Sequence, residues 1–257
     1  LMILTSSHNI SEEILKQLEY LQSEPFFTYV PRRDRSIRQM MKDYNSEIIL
    51  VVTEDGLKLY GLHWDQPFFF HPSSAVFRIK RLKHGDNDTM VESCQLQTGD
   101  TFLDCTLGLG SDSIVASYVV GEQGKVTGIE SERWIAYLVQ YGIHHWKDGS
   151  QELISAMKRL KVVWSDHLSY LKQLPDHSFD IVYFDPMFRQ PVYSSSGISP
   201  LRQLANKEKI DINAINEAKR VAKKRVVIKE RKNSGELNRL GFTPVTKGKV
   251  TFGVIQL

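Results

Sequence analysis

Asp185-Pro186-Met187-Phe188 sets an acid, a proline and an aromatic directly after the strand-like run Phe179-Asp180-Ile181-Val182-Tyr183-Phe184. Among the tasks open to these types is the holding of a flat, weakly nucleophilic amine. An exocyclic amine on a nucleic-acid base delocalises its lone pair into the ring. A carboxylate and a backbone carbonyl that accept its two N–H bonds turn that lone pair toward an electrophile. An aromatic ring stacks on the extruded base, and Pro186 fixes the turn. Positioning does most of the work in such a displacement, so Asp185 need not be a strong base. Read in isolation, Asp-Pro ends a strand and Phe188 belongs to a core.

A second constellation lies upstream. Thr101-Phe102-Leu103 runs into Asp104-Cys105-Thr106-Leu107-Gly108-Leu109-Gly110-Ser111-Asp112, and a helix pattern follows. Glycines at a strand-to-helix turn let the backbone approach a ligand. Asp104 at the strand end is placed to receive the ammonium of a methionine moiety, with Thr106, Gly108 and Gly110 in the turn. Ser111 and Asp112 sit where a helix begins. Glu130, twenty residues after Gly110, ends the next strand-like run, where a carboxylate can accept from two ribose hydroxyls. Asp166, after the following strand, is placed for an adenine edge, together with the backbone of His167. The rival is a nicotinamide dinucleotide site, which also uses a glycine turn and a ribose carboxylate. Its third glycine is replaced here by Ser113.

The elements that must position these residues alternate. Strands are predicted at Thr101 to Cys105, Lys125 to Glu130, Lys161 to Trp164, Phe179 to Phe184 and Arg225 to Glu230. Helices fill the gaps from Asp112 to Val120, Glu132 to His144, Gln151 to Leu160 and Ile212 to Ala222. This order argues for a parallel sheet covered on both faces. Gly241 to Pro244 and Lys249 to Leu257 read as a closing antiparallel pair about a Lys247-Gly248 turn. Residues 1–87 read as a small N-terminal α/β domain, with 88–257 as the main one. In the first, Met2 to Thr5 is a strand. Ser11 caps a helix to Gln22 with Ile14, Leu15, Leu18 and Leu21 on one face. Ser36 to Tyr44 is a second helix. Glu47 to Thr53 and Leu57 to His63 form a hairpin about Glu54-Asp55-Gly56, and Phe68 to Leu82 contains a further extended segment.

Taken together, the Asp104–Gly110 loop, Glu130 and Asp185–Phe188 resemble the bacterial small-subunit ribosomal RNA guanine-N2 methyltransferase family. Asp-Pro-Met-Phe and Lys223-Lys224-Arg225-Val226-Val227-Ile228-Lys229 are similar to that group's versions of these segments. The likeness covers roughly residues 88 to 232. The first 90 residues, with Phe69-Phe70-His71-Pro72-Ser73 and Arg78-Ile79-Lys80-Arg81, look more like a related Gram-positive group of methyltransferases. The resemblance implies a Rossmann-like class I methyltransferase fold, with a mostly parallel seven-stranded sheet and a C-terminal antiparallel hairpin. It implies S-adenosyl-L-methionine as cofactor, with contacts on Ser111, Asp112, Glu130, Ser131, Asp166, His167 and Asp185. The family usually has arginine where Ser131 stands. A small-molecule methyltransferase, a nicotinamide-dependent oxidoreductase and a non-catalytic RNA-binding relative are the competing readings.

The net charge of +3 over 257 residues does not by itself demand nucleic acid, but basic residues cluster. Arg78 and Lys80 alternate with Phe77 and Ile79, so a strand would set both charges on one face. With Arg81, they are the first candidates for RNA phosphate. Lys229 and Arg231, after the fifth strand, are the others. Pro31-Arg32-Arg33-Asp34-Arg35 is a further basic run. Arg189 to Lys207 reads as a polar flap that orders over substrate. Two cysteines make neither a disulfide framework nor a zinc site. His63, His71, His84 and His144-His145 lack metal-ligand spacing. No bound metal and no membrane partner are expected, because no apolar run reaches spanning length. The expected setting is a reducing cytoplasm, and the oligomeric state is open.

Overall fold

The structure is a computed structural model that describes residues 1–186, 209–232, 234–246 and 250–257. The chain divides into two compact units, with the boundary between Phe70 and His71. The sequence placed that boundary at 87/88. The difference is one helix, α3 below, which lies in the second unit.

In the first unit β1 (Met2–Ser6), β2 (Phe27–Tyr29), β3 (Ile48–Thr53), β4 (Gly56–Gly61) and β5 (Phe68–Phe69) form one sheet in the order β2-β1-β3-β4-β5. β1 pairs in parallel with β2 and β3, whereas β4 and β5 add antiparallel. Helix α1 (Glu12–Gln22) begins where Ser11 accepts from the N–H of Ile14, as expected of a cap. It buries Ile14, Leu18 and Leu21, but leaves Leu15 half exposed. The stripe is thus narrower than the pattern suggested. Ser36 caps α2 (Ile37–Asp43), whose Met40 and Met41 join Val30, Ile49 and Val51 in a core cluster.

The second unit opens with α3 (Ser73–Lys83), and this overturns the extended reading of Phe68 to Leu82 beyond Phe69. The alternation of Phe77 and Ile79 mimics a strand, but the buried residues are Ala75 and Ile79, one helical turn apart. Phe77 is 68% exposed. Arg78 and Lys80 therefore do not share a face.

After α4 (Thr89–Cys94) the chain alternates strand and helix on the expected elements, with two helices added that the sequence reading did not place, His167–Gln173 and Glu236–Leu240. It runs β6 (Thr101–Asp104), α5 (Ser111–Val120), β7 (Lys125–Glu130), α6 (Arg133–His145), α7 (Gln151–Arg159), β8 (Leu160–Trp164), α8 (His167–Gln173) and β9 (Phe179–Phe184). Then come α9 (Ile212–Val221), β10 (Ala222–Arg231), α10 (Glu236–Leu240), β11 (Thr243–Pro244) and β12 (Val250–Gln256). The sheet has seven strands in the order β11-β12-β10-β9-β6-β7-β8. β8, β7, β6, β9 and β10 are parallel, and β12 returns antiparallel between β10 and β11. This is the Rossmann-like methyltransferase sheet.

Strand period assigns the two faces. Leu103, Val182, Phe184, Val226 and Ile228 face Leu171 of α8 and Ala214, Ile215 and Ala218 of α9 in one core cluster. Phe102, Asp104, Tyr183, Asp185, Val227 and Lys229 carry the opposite parity, and Tyr183 reaches α5 on that side. β10 starts earlier than expected and runs through Lys229 and Arg231, which therefore belong to the strand rather than following it. At its other end Lys224 bonds Asp100, and Arg225 donates to the carbonyl of Ser93 (3.2 Å). Lys224 and Arg225 thus serve local contacts at the amino edge of the sheet. No helix among the described residues is long and apolar enough to cross a membrane. Met187, Phe188, the flap segment 189–207 and the Lys247-Gly248 turn lie outside the described residues.

Candidate active site

Parallel strands deliver three acids to one edge of the sheet. β6 ends on Asp104, β7 on Glu130, and Asp185 follows β9 directly. Register sets Asp104 beside Gly128 on one side and Tyr183 on the other.

The glycine loop hangs from both neighbours. The N–H of Cys105 donates to Tyr183 (2.8 Å) and that of Leu107 to Ile129 (2.9 Å). Gly108 and Gly110 adopt φ of 52° and 77°, the left-handed conformation that glycine takes without penalty. Glu130 fixes the loop from below. Its carboxylate accepts from the N–H of Gly108 (3.1 Å) and of Glu132 (2.9 Å). Burial raises its pKa against those bonds.

Asp104 is buried at 2% exposure. Its carboxylate accepts from the N–H of Thr106 (3.0 Å) and the hydroxyl of Ser113 (2.7 Å). Burial pushes its pKa up to about 7, against those two bonds. Each oxygen accepts a bond from the chain, so the side chain expected to meet an ammonium here also shapes the loop. Thr106 in turn accepts from the N–H of Asp185 (2.6 Å), which ties the glycine loop to the reaction loop. Ser111, in the first turn of α5, has a buried hydroxyl with no hydrogen-bond partner among the described residues.

Asp112 is the centre of a buried charge network that the sequence reading missed. It accepts from Arg78 and from the hydroxyl of Tyr183 (2.8 Å), and it lies 3.7 Å from the ammonium of Lys229. Burial works to raise its pKa, but Lys229 and Arg78 outweigh burial and hold it well below the usual carboxylate range. Arg78 also forks onto Asp88 (2.7 and 2.9 Å), whose carboxylate caps α4. Lys229 closes the network on Asp185 at 2.7 Å. Burial raises the pKa of Asp185 and Asp112 adds to that, with Lys229 opposing. The available signal was strand period, since Tyr183, Asp185 and Lys229 share a face and Asp112 sits in the first turn of the adjoining helix.

The remaining candidates are spread around this centre. Ser131 follows Glu130, and its carbonyl accepts from the indole N–H of Trp164 (3.0 Å). The carboxylate of Asp166 caps α8 by accepting from Ser169 (2.8 Å). His167 packs edge-on to Phe184, and burial lowers its pKa. Lys80 and Arg81 are exposed on α3, with Arg81 3.4 Å from Asp86. Arg231 ends β10, two residues beyond Lys229. Among the described residues no three His, Cys, Asp or Glu side chains gather around a metal-sized site.

A family model described as "Putative SAM-dependent methyltransferase" matches residues 35–251. The chain belongs to this family. The methyltransferase is 43% identical over 256 residues, 99% of each chain, to the uncharacterized protein YpiP of Bacillus subtilis (strain 168). It is 26% identical over 196 residues to ribosomal RNA small subunit methyltransferase J of Buchnera aphidicola subsp. Schizaphis graminum (strain Sg), covering 73% of this chain and 77% of that one. Its fold is similar to the crystal structure of the SAM-dependent methyltransferase NGO1261 from Neisseria gonorrhoeae. The TM-score is 0.64 at 19% identity, with 99% of this chain and 96% of that one covered.

The cofactor of this methyltransferase is therefore S-adenosyl-L-methionine, and the nicotinamide reading falls. The residues present fit the group. Left-handed glycines open the loop to a ligand, the unpartnered Ser111 hydroxyl is a ready donor, and Glu130 ends the second strand of the parallel set, where a carboxylate suits ribose hydroxyls. When bound, the cofactor supplies a methyl group on a positively charged sulfur.

Proposed function

We propose that the methyltransferase acts on the exocyclic amine of a nucleic-acid base in RNA, with guanine N2 of small-subunit ribosomal RNA as the target. The observation that carries this reading is Asp185-Pro186 at the end of β9. The backbone N–H of Asp185 donates to the Thr106 hydroxyl of the glycine loop, and its carboxylate is kept beside Lys229. An acid in this place accepts an N–H of the amine and turns its lone pair toward the methyl donor. The carbonyl of Pro186 accepts the other N–H, and Phe188, assigned from sequence, stacks on the base. Similarity to the ribosomal RNA small subunit methyltransferases J supports the RNA acceptor. Glu130 and Ser111 hold the cofactor, with Ser131, Asp166 and His167 around its adenosine. Lys80, Arg81 and Arg231 meet phosphate.

The test is mass spectrometry of ribosomal RNA nucleosides from cells with and without the gene. Loss of one N2-methylguanosine is expected, restored by the wild-type gene and not by Asp185→Ala. An unchanged nucleoside pattern overturns the RNA acceptor and leaves a small-molecule acceptor in its place. Restoration by Asp185→Ala refutes the role of Asp185.

A further inference from the structure

We infer that Lys229 is a positioning residue for methyl transfer, holding the Asp185 carboxylate in place for the acceptor amine rather than meeting RNA phosphate. The inference rests on the reading of Asp185 given above.

Geometry makes the case. The Lys229 ammonium lies 2.7 Å from one oxygen of Asp185 and 3.7 Å from Asp112. An ammonium already engaged on two carboxylates in a half-buried site has little left for a phosphate. Its side chain keeps 28% exposure, and that of Asp185 27%. Lys229 reaches this position because β10 pairs in register with β9, Ile228 beside Phe184, so the next residue along each strand is Lys229 and Asp185. The contact is thus built from two neighbouring strands rather than from mobile chain ends.

Charge counting explains the need. Asp88, Asp112 and Asp185 share the two cations Arg78 and Lys229. Arg78 serves Asp88 and Asp112, so among the described residues Lys229 is the cation in contact with Asp185. Among the described residues, the other charged and titratable groups facing Asp185 are Asp112 of α5, Asp104 of β6 and the Tyr183 hydroxyl of β9. Each of the acids, together with burial, favours a protonated Asp185. A neutral carboxyl is a weaker acceptor for an N–H than a carboxylate, and its own proton competes for the site. Lys229 opposes that protonation and fixes the rotation of the group.

The experiment is titration of aspartate carboxyl carbons by NMR, with Asp185→Asn used to assign the Asp185 signal. Wild type, Lys229→Met, Lys229→Gln and Lys229→Arg are compared in the presence of S-adenosylhomocysteine. In Lys229→Met or Lys229→Gln, whichever folds, the Asp185 midpoint is expected to rise by about 1–3 pH units. Lys229→Arg is expected to stay near wild type, and S-adenosylhomocysteine affinity to stay within about threefold in all variants, less than 1 kcal/mol. With small-subunit ribosomal RNA from a gene-deleted strain, the acidic limb of kcat moves with the midpoint and KM stays. An unmoved midpoint, or a neutral variant that loses KM for RNA with kcat and its limb unchanged, overturns the inference. Absence of RNA methylation by wild type overturns the acceptor assignment instead, and the NMR midpoint still decides whether Lys229 governs Asp185.

Discussion

Arg78→Met is the substitution whose cost the structure makes most explicit. The guanidinium of α3 joins the cap of α4 to the first turn of α5, through Asp88 and Asp112. The side chain is 19% exposed and its two partners 11% each, so solvent screens these pairs weakly. Methionine keeps much of the stem but leaves both carboxylates short of a cation. Asp112 retains Lys229 and Tyr183, and Asp88 retains only the backbone N–H groups of Met90 and Val91. Stranding a partner of a buried ion pair costs about 3–5 kcal/mol. For a unit of this size that is a fall in Tm of about 10 °C. The pH dependence has a definite sign. In wild type both Asp88 and Asp112 titrate below their ordinary value. Their pairs therefore contribute stability above about pH 4, which is lost as pH falls through the folded-state values. In the variant burial is less opposed, the carboxylates take up protons at higher pH, and the penalty shrinks between about pH 7.5 and pH 5. Thermal melting followed by circular dichroism at both pH values reads this directly. Arg78→Lys, which keeps charge but loses the fork, should fall between the two. A Tm within about 2 °C of wild type at the higher pH, or an equal loss at both, would refute the reasoning.

Three further outcomes are expected. Glu130→Gln removes the charge that the Gly108 and Glu132 N–H groups meet and that the proposed ribose contact would use. Calorimetric titration with S-adenosylhomocysteine should show Kd weakened about tenfold or more, and a change under threefold would remove Glu130 from the cofactor site. Asp104→Asn tests the raised pKa of about 7. Because the folded group holds its proton more tightly than the unfolded one, wild-type stability falls as pH rises from about 4 to about 7, by at most about 4 kcal/mol. The asparagine variant should lack that slope, so that it gains on wild type between about pH 5 and pH 8; a constant Tm difference across that range would contradict the assignment. Gly128→Ala would set a methyl 2.4 Å from Cδ1 of Leu107, beneath the glycine loop. A cost of about 1–3 kcal/mol in stability is expected, with weaker S-adenosylhomocysteine binding; an unchanged Tm and Kd would show that Leu107 repacks freely.

Contiguous residues made the methyltransferase sheet legible. Strand and helix periods are local properties, and β7 and β9 fall on the residues that their patterns mark. Ser11 and Ser36 cap the helices that they precede. Gly108 and Gly110 take the left-handed backbone that only glycine adopts cheaply, so the loop announces itself by composition. The ends of parallel strands then bring Asp104, Glu130 and Asp185 to one edge without further information.

What depends on partners far along the chain was not legible. Whether the residues after Ser73 form a strand or a helix turned on what Ala75 and Ile79 could pack against, and tertiary burial chose the helix. That choice turned Arg78 from a surface charge into a largely buried link that forks onto Asp88 and reaches Asp112 across 34 residues. Lys229 met Asp185 across 44 residues because β10 lies beside β9, which no local pattern states. Sequence alone thus determined the order of the main sheet's strands, the glycine loop and the acids at the strand ends. The tertiary structure alone decided which cation neutralises which acid, because a buried charge takes the partner that packing brings within reach.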